Sequence, residues 1–166
     1  MIAAQWHGAF SESSKHSYED STGSYPLSEV AGGEKALASL ATMIRALRQK
    51  DKKVFLVLGI PTGIDFNPRF MIQRKTFTRD WGIKEALVDR EFVSKNIPTS
   101  ALKLRSLGAA TGATIIDPMD TLCNERECRS RTQDGALMYK DSSHLSATFV
   151  RNHILFFDDV LKISKP

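Results

Sequence analysis

The segment from residue 34 to residue 59 constrains the fold of this chain most. Residues 34–50 carry apolar side chains at spacings of three and four, and this pattern predicts a helix with a single apolar face. Residues 54–59 form a continuous apolar run, which is typical of a strand that is buried on both faces. A helix that leads into such a strand predicts an α/β fold with a parallel sheet.

The rest of the chain extends this alternation of strands and helices. Residues 1–6 predict a short strand, and residues 98–110 predict a helix that ends near two glycines. Residues 113–117 predict another strand, and residues 145–163 predict a closing helix. The sequence therefore predicts one α/β domain over residues 1–166, with a parallel sheet and helices on both faces.

Three segments carry weaker patterns. Residues 11–33 are rich in Ser, Gly and acidic side chains, which predicts a long loop that could include a short irregular strand. Residues 71–81 are basic and predict no particular element. Residues 84–96 predict a helix.

Composition and charge exclude several classes of function. The net charge is +4, and Lys and Arg are spread along the chain, so no nucleic-acid partner is expected. No apolar run reaches the roughly 18–20 residues that span a bilayer. The first residues have no basic segment followed by a long apolar core, so no signal peptide is predicted.

The two cysteines of the chain, Cys123 and Cys128, lie close together in sequence. Two cysteines without a histidine at a useful spacing do not predict a metal site. The favoured interpretation is a local disulfide that closes a small loop, which would imply an oxidising compartment. Two unpaired thiols in a reducing compartment are the alternative.

Asp141 and His144 form the candidate catalytic pair. At this spacing, on a turn before a helix, a carboxylate can fix the tautomer of an imidazole, and the imidazole can take a proton from a hydroxyl. The pair follows the last predicted strand, at the sheet edge where open α/β folds bind their ligands. The alternative interpretation is a cluster of side chains that caps the start of the helix.

The end of the chain carries three blocks in a characteristic order. They are Asp117-Pro118, then Cys123 and Cys128, then Asp141-Ser142-Ser143-His144-Leu145-Ser146. This order resembles the SGNH hydrolase domain, above all the one fused to the C-terminus of acyltransferase-3 membrane proteins, which acylate surface polysaccharides. The resemblance covers nearly the whole chain. It implies a three-layer α/β/α fold of SGNH or flavodoxin-like type.

By this resemblance His144 is the general base and Asp141 is its orienting partner. The family's nucleophile is the Ser of a Gly-Asp-Ser block at the end of the first strand, and this sequence contains no Gly-Asp-Ser. We therefore expect the first strand–helix unit to lie before Met1, so that the chain is the C-terminal part of the domain and is inactive by itself. Ser142, Ser143 and Ser146 are too close to His144 in sequence to replace that nucleophile.

The resemblance also implies a place for the oxyanion hole and for the substrate. Gly63 and Asn67 follow the apolar run of residues 54–59 and could supply oxyanion donors by their position. The implied function is an O-acyltransferase or acylesterase that acts on a bacterial surface polysaccharide such as O-antigen, with no metal or organic cofactor.

The implied partners are an acylated carbohydrate and a membrane acyltransferase domain, at the periplasmic side of the inner membrane. A sheet without its first strand would expose its edges, which predicts self-association. The alternative function is a non-catalytic module that binds a glycan or a partner domain.

Overall fold

The computed structural model describes residues 1–4, 6–74, 81–83, 87–95, 99–154 and 157–158. Within these ranges the strands are β1 (Ile2–Ala3), β2 (Ser17–Asp20), β3 (Gly23–Pro26), β4 (Phe55–Val57), β5 (Ile72–Arg74), β6 (Trp81–Ile83), β7 (Leu87–Asp89), β8 (Thr114–Ile116) and β9 (Glu127–Arg129). The helices are α1 (Trp6–Ala9), α2 (Val30–Gln49), α3 (Pro68–Met71), α4 (Arg90–Lys95), α5 (Thr99–Thr111), α6 (Met119–Leu122) and α7 (Ala147–His153), and a 3₁₀ turn covers Ile64–Phe66.

The contacts divide the chain into two compact units. Unit 1 comprises Met1–Gly59 and Ile97–Asp117, and unit 2 comprises Ile60–Asn96 and Pro118–Pro166. Unit 1 contains a parallel sheet in the order β1-β4-β8 and the antiparallel hairpin β2–β3. Unit 2 contains the antiparallel pairs β5–β6 and β7–β9. The predicted α/β class with a parallel sheet is therefore confirmed.

The core of unit 1 is built around the central strand β4. Residues 54–58 are all buried, as the continuous apolar run predicts. Three alternate residues of this run pack against Ile44 of α2 and Leu104 of α5; they are Val54, Leu56 and Leu58. Each fully buried side chain of this size stabilises the fold by about 1.5–3 kcal/mol relative to exposure. The parallel sheet therefore rests on the apolar face of the two long helices.

The prediction of a long loop over residues 11–33 that could include a short strand holds only in part, because this segment contains the hairpin β2–β3 and the start of α2. β2 and β3 pair antiparallel, with Tyr18 opposite Tyr25. The turn between them is closed by the Asp20 carboxylate, which accepts hydrogen bonds from the Thr22 backbone N–H at 2.8 Å and the Thr22 hydroxyl at 2.5 Å. Most residues of both strands are exposed, and without a buried face no alternation marks them as strands.

The helix predicted over residues 34–50 begins earlier, at Val30. Gly32 and Gly33 weaken the helical pattern in the sequence, because glycine is a poor helix former. Gly32 is nevertheless required, since a Cβ at this position would overlap the carbonyl oxygen of Pro26. The close approach of α2 to β3 therefore explains both the glycine and the error in the predicted boundary.

The other predicted elements match in part. The predicted helix over residues 98–110 corresponds to α5, except that residue 98 lies outside the described residues, and the predicted strand over residues 113–117 corresponds to β8. Residues 1–6 give β1, but Trp6 begins α1, and its indole N–H donates to the Val57 carbonyl at 2.7 Å. Residues 71–81 include β5 and the first residue of β6.

The helix predicted over residues 84–96 is wrong at its start, because β7 precedes α4. Val88 pairs with Cys128 of β9, and the Asp89 carboxylate accepts a hydrogen bond from the Phe92 backbone N–H at 2.9 Å. Pairing with a distant strand thus overrides the local helical pattern. Residues 84–86 and 96 of this prediction lie outside the described residues. So do residues 155–156 and 159–163 of the predicted closing helix.

Candidate active site

The Asp141 carboxylate organises the turn that carries the candidate pair. Its Oδ1 accepts hydrogen bonds from the backbone N–H groups of Ser143 and His144, both at 2.9 Å. The Ser143 hydroxyl donates to the same oxygen at 3.2 Å. The side chain therefore closes its own turn, as Asp side chains commonly do.

The same carboxylate faces the imidazole of His144. Nδ1 of His144 lies 2.9 Å from Oδ1 and 3.0 Å from Oδ2 of Asp141. Hydrogen bonds from the Ser143 backbone N–H, and then from the His144 side chain, lower the pKa of Asp141 to about 2. Asp141 is therefore ionised at neutral pH and can only accept hydrogen bonds. A neutral imidazole must then carry its proton on Nδ1, which leaves a lone pair on Nε2.

The imidazole is accessible to a reacting group. The His144 side chain is 64% exposed and the Asp141 side chain is 39% exposed. Among the described residues, none forms a hydrogen bond with Nε2. An oriented imidazole with a free Nε2 has the arrangement that a general base requires.

Backbone hydrogen bonds and a buried tyrosine hold this turn in place. The Lys140 N–H donates to the His144 carbonyl at 2.8 Å, so that the turn closes on itself. Tyr139 is 1% exposed, and its hydroxyl donates to the Pro61 carbonyl at 3.1 Å. Burial raises the pKa of this hydroxyl, and the Tyr139 ring packs on Phe66 with centroids 4.8 Å apart. Tyr139 is not among the predicted site residues, and its one signal in the sequence is its place beside the pair.

The segment after β4 contacts the turn directly. The Gly63 N–H donates to the Ser142 carbonyl at 2.9 Å. Gly63 has φ +149°, a conformation that suits glycine. Its N–H is therefore not free to act as an oxyanion donor, which corrects the expectation for the backbone of this residue. The hydrogen bond nevertheless brings the predicted oxyanion region to the candidate pair.

Asn67 has a structural function in this segment. Its side-chain oxygen accepts a hydrogen bond from the Arg69 N–H at 3.1 Å and caps the start of α3. Capping leaves the amide NH₂ available as a donor. A role for Asn67 in oxyanion binding stays a prediction.

The alternative interpretation of the pair as a helix cap is wrong. α7 begins after Ser146, whose hydroxyl oxygen accepts a hydrogen bond from the Phe149 N–H at 3.2 Å. The same hydroxyl donates to the Leu137 carbonyl at 3.0 Å. Ser146 is therefore the cap, and Asp141 and His144 lie before the helix in their own turn.

The hydroxyl of Ser143 is the nearest to the imidazole, and it lies on the wrong side for a nucleophile. It is 3.2 Å from Nδ1 of His144 and bonds to Asp141. A nucleophilic hydroxyl must instead give its proton to Nε2, the nitrogen that is free. The geometry thus agrees with the sequence argument against the neighbouring serines.

A disulfide joins Cys123 and Cys128 in unit 2. The loop between them is closed by Asn124, whose side-chain oxygen accepts hydrogen bonds from the N–H groups of Arg126 and Glu127, both at 2.8 Å. Beyond β9 the chain is hydrogen-bonded to the segment before Asp141, from the Met138 N–H to the Ser130 carbonyl at 3.0 Å. The cysteine loop therefore belongs to the framework that supports the candidate pair.

Within the described ranges, no group of three or more His, Cys, Asp or Glu side chains could hold a metal ion. In the same part of the chain, no helix combines the length and the apolar character needed to cross a membrane.

No curated protein and no solved structure matches this chain. A family model described as "SGNH domain (fused to AT3 domains)" matches residues 1–155. This match spans both units, the Asp141–His144 turn and the disulfide loop. The chain therefore belongs to the family of SGNH domains that are fused to AT3 domains, and it is an SGNH module of acyltransferase-associated type.

Proposed function

We propose that this chain supplies the general base and its orienting carboxylate to an SGNH-type acyl-transfer site. His144 is the base and Asp141 is the orienting partner. The observation that carries this proposal is the contact between His144 Nδ1 and both oxygens of the Asp141 carboxylate, with the imidazole 64% exposed. The family match adds the context of an acyltransferase.

The proposed reaction is acyl transfer through an ester of a serine that lies outside these 166 residues, since the sequence contains no Gly-Asp-Ser. Nε2 of His144 takes the proton of the serine hydroxyl as its oxygen attacks the acyl carbonyl. The imidazolium then protonates the departing oxygen. In the second half, Nε2 deprotonates a sugar hydroxyl or a water molecule as its oxygen attacks the acyl carbonyl. The imidazolium then returns this proton to the departing serine oxygen, which restores the free serine.

The proposed setting follows the family. The acyl acceptor or donor is a bacterial surface polysaccharide, and the AT3 membrane domain of the same protein is the partner, on the periplasmic side of the inner membrane. Asn67 is a proposed oxyanion donor through its side-chain NH₂. Which direction the acyl group travels decides between an O-acyltransferase and an acylesterase.

The test begins with the coding DNA upstream of Met1. The 166-residue chain and a form extended by that in-frame DNA are treated with a fluorophosphonate, which labels only an activated serine. We expect label in the extended form alone, and we expect His144→Gln to abolish it. Hydrolysis of p-nitrophenyl acetate should fall by about 10⁴-fold or more in the same variant.

Two results would contradict the proposal. One is an in-frame stop codon directly upstream of Met1, which would favour a non-catalytic module that binds a glycan or a partner. The other is a labelled serine whose reactivity does not change in His144→Gln. His16→Gln is the matched control, because His16 is exposed and belongs to unit 1.

A further inference from the structure

A concave feature of unit 2 lies on the hairpin that leads into the Asp141–His144 turn. It is a pocket of about 350 Å³. Its lining residues are Arg129, Arg131, Thr132, Gln133, Asp134 and Gly135. Because every side chain among them is polar or charged, the pocket suits a ligand with many hydrogen-bonding groups rather than an acyl chain.

The pocket is held in shape without a ligand. The Arg131 guanidinium donates two hydrogen bonds to the Gly135 carbonyl, from Nε at 3.0 Å and from Nη2 at 2.7 Å. The Gly135 N–H donates to the Thr132 carbonyl at 3.0 Å, and Thr132 and Ala136 exchange further hydrogen bonds. A guanidinium fixed in this way loses little entropy on binding, which favours affinity.

The pocket offers both donors and acceptors. Within the described residues, neither Nη1 of Arg131 nor the Gln133 amide forms a hydrogen bond. Arg129 forms an ion pair with Glu127 at 3.2 Å. Asp134 supplies a carboxylate, whose pKa is lowered by a hydrogen bond from the Thr132 hydroxyl. A simple anion would meet the Asp134 charge and a simple cation would meet the arginines, whereas sugar hydroxyls can satisfy both.

The position of the pocket relates it to the candidate pair. Residues 137–139 form isolated bridges to Arg131 on one side and to Leu145 on the other. Between these bridges the Met138 N–H donates to the Ser130 carbonyl, and the Met138 carbonyl accepts from the Ser146 N–H. The pocket turn lies at one end of this segment and the Asp141–His144 turn lies at the other. The four residue steps from 136 to 140 span at most ~13 Å, a distance that a few sugar units of a glycan can cover.

We propose that this pocket binds one sugar unit of the polysaccharide whose acyl group is processed at His144. The assignment rests on the proposed function for its choice of ligand. It adds a binding subsite that holds the glycan some sugar units away from the reacting oxygen.

Titration of the ¹⁵N-labelled chain tests this proposal by the amide resonances of Thr132 and Gly135. The probes are maltotriose, chitotriose and trigalacturonate, with sodium acetate and inorganic phosphate as simple anions. We expect at least one trisaccharide to shift both resonances. Arg131→Lys, which keeps the charge and loses the planar fork, should weaken that binding by about tenfold to hundredfold.

Two further variants make the result specific. Gln133→Ala should also weaken binding, and its exposed position makes a folding defect unexpected. Arg126→Ala removes one exposed arginine whose side chain forms no hydrogen bond or ion pair within the described residues, so binding should not change. The proposal would be overturned if acetate or phosphate bound as tightly as the trisaccharide. It would also be overturned if no trisaccharide shifted the two resonances, or if Arg126→Ala lost as much trisaccharide affinity as Arg131→Lys.

His144→Gln separates this proposal from the proposed function. Trisaccharide binding should be unchanged in this variant while acyl transfer is lost. Unchanged binding together with unchanged acyl transfer would overturn the role of His144 and leave the subsite standing. If His144→Gln loses acyl transfer but the unaltered chain binds no trisaccharide, the role of His144 stands and the subsite is overturned.

Discussion

Asp20 and Asp141 lie in different units, and each accepts a hydrogen bond from the backbone N–H two residues later. In both cases hydrogen bonds lower the carboxyl pKa to about 2; the Thr22 hydroxyl contributes most at Asp20 and the Ser143 backbone N–H contributes most at Asp141. A strongly lowered carboxyl pKa is therefore a property of the turn. By itself it does not identify a catalytic residue.

The two turns differ in the basic side chain that the carboxylate contacts. Asp20 pairs with the Lys35 ammonium at 3.0 Å, and the hydrogen bond that this ammonium donates to Asp20 raises the pKa of Lys35. An ammonium in this state has no lone pair to accept a proton. Asp141 instead orients the imidazole of His144, which keeps a lone pair on Nε2. The comparison thus shows that the proton acceptor, and not the carboxylate, distinguishes the candidate site.

The largest expected difference between the turns is in catalysis. In the extended protein that contains the serine, Asp141→Asn should lower kcat for p-nitrophenyl acetate by about 10⁴-fold, because the tautomer of His144 is no longer fixed. Asp20→Asn should leave kcat within about twofold, since its turn orients no imidazole. Equal losses in the two variants would show that the turns act through stability alone, and thermal melts of both proteins would reveal this.

A second difference concerns the supports of the two turns. Tyr139→Phe removes the buried hydrogen bond to the Pro61 carbonyl, so the free energy of unfolding should fall by about 1–2 kcal/mol. Lys35→Met removes a partly exposed ion pair and should destabilise the chain less, because solvent screens such pairs. Urea unfolding of both variants measures the difference. A larger loss in Lys35→Met would mean that the hairpin of unit 1, rather than the buried tyrosine, limits stability.

The same comparison explains what the sequence could and could not predict. The sheet of unit 1 was predictable because residues 54–59 form a continuous apolar run and the apolar residues of the preceding helix, Ile44 among them, recur with the period of a helix. The hairpin around Asp20 was not, because its strands bury too little to show a pattern. The pairing of Asp141 with His144 was predictable because it is local and depends on a spacing of three.

The hydrogen bonds that support the Asp141 turn could not be predicted from the sequence. The hydrogen bonds from Gly63 to Ser142 and from Tyr139 to Pro61 join segments far apart in sequence, and in each a backbone group takes part. No residue type signals a backbone partner, so these contacts are visible only in the fold. The pattern likewise predicted a helix where β7 pairs with β9, since strand pairing is also non-local. The assignment of residues 1–166 to one domain stays a prediction.

Acid should affect both turns alike. A carboxyl whose folded pKa is about 2, against an ordinary value of 3.8, contributes stability above pH 3.8 that is lost as the pH falls towards 2. At pH 3 each Asp should account for ~0.8 of a proton taken up on unfolding. Urea titrations near pH 3 give the slope of the free energy of unfolding against pH, which measures the protons taken up on unfolding. This number should fall by ~0.8 in Asp20→Asn and in Asp141→Asn. A change in one variant alone would mean that the two turns are not equivalent.

The smallest expected effect is that of the hydroxyl beside the imidazole. Ser143→Ala removes the hydroxyl that bonds Asp141 and lies 3.2 Å from Nδ1 of His144, while the Ser143 N–H, the His144 N–H and Nδ1 itself remain as donors to the carboxylate. Because one neutral hydrogen bond contributes about 0.5–1.5 kcal/mol, kcat should fall by only about two- to tenfold. Thr22→Ala removes the equivalent hydroxyl at Asp20 and should not change kcat. A loss in Ser143→Ala as large as that in Asp141→Asn would instead mean that the hydroxyl itself fixes the tautomer of His144.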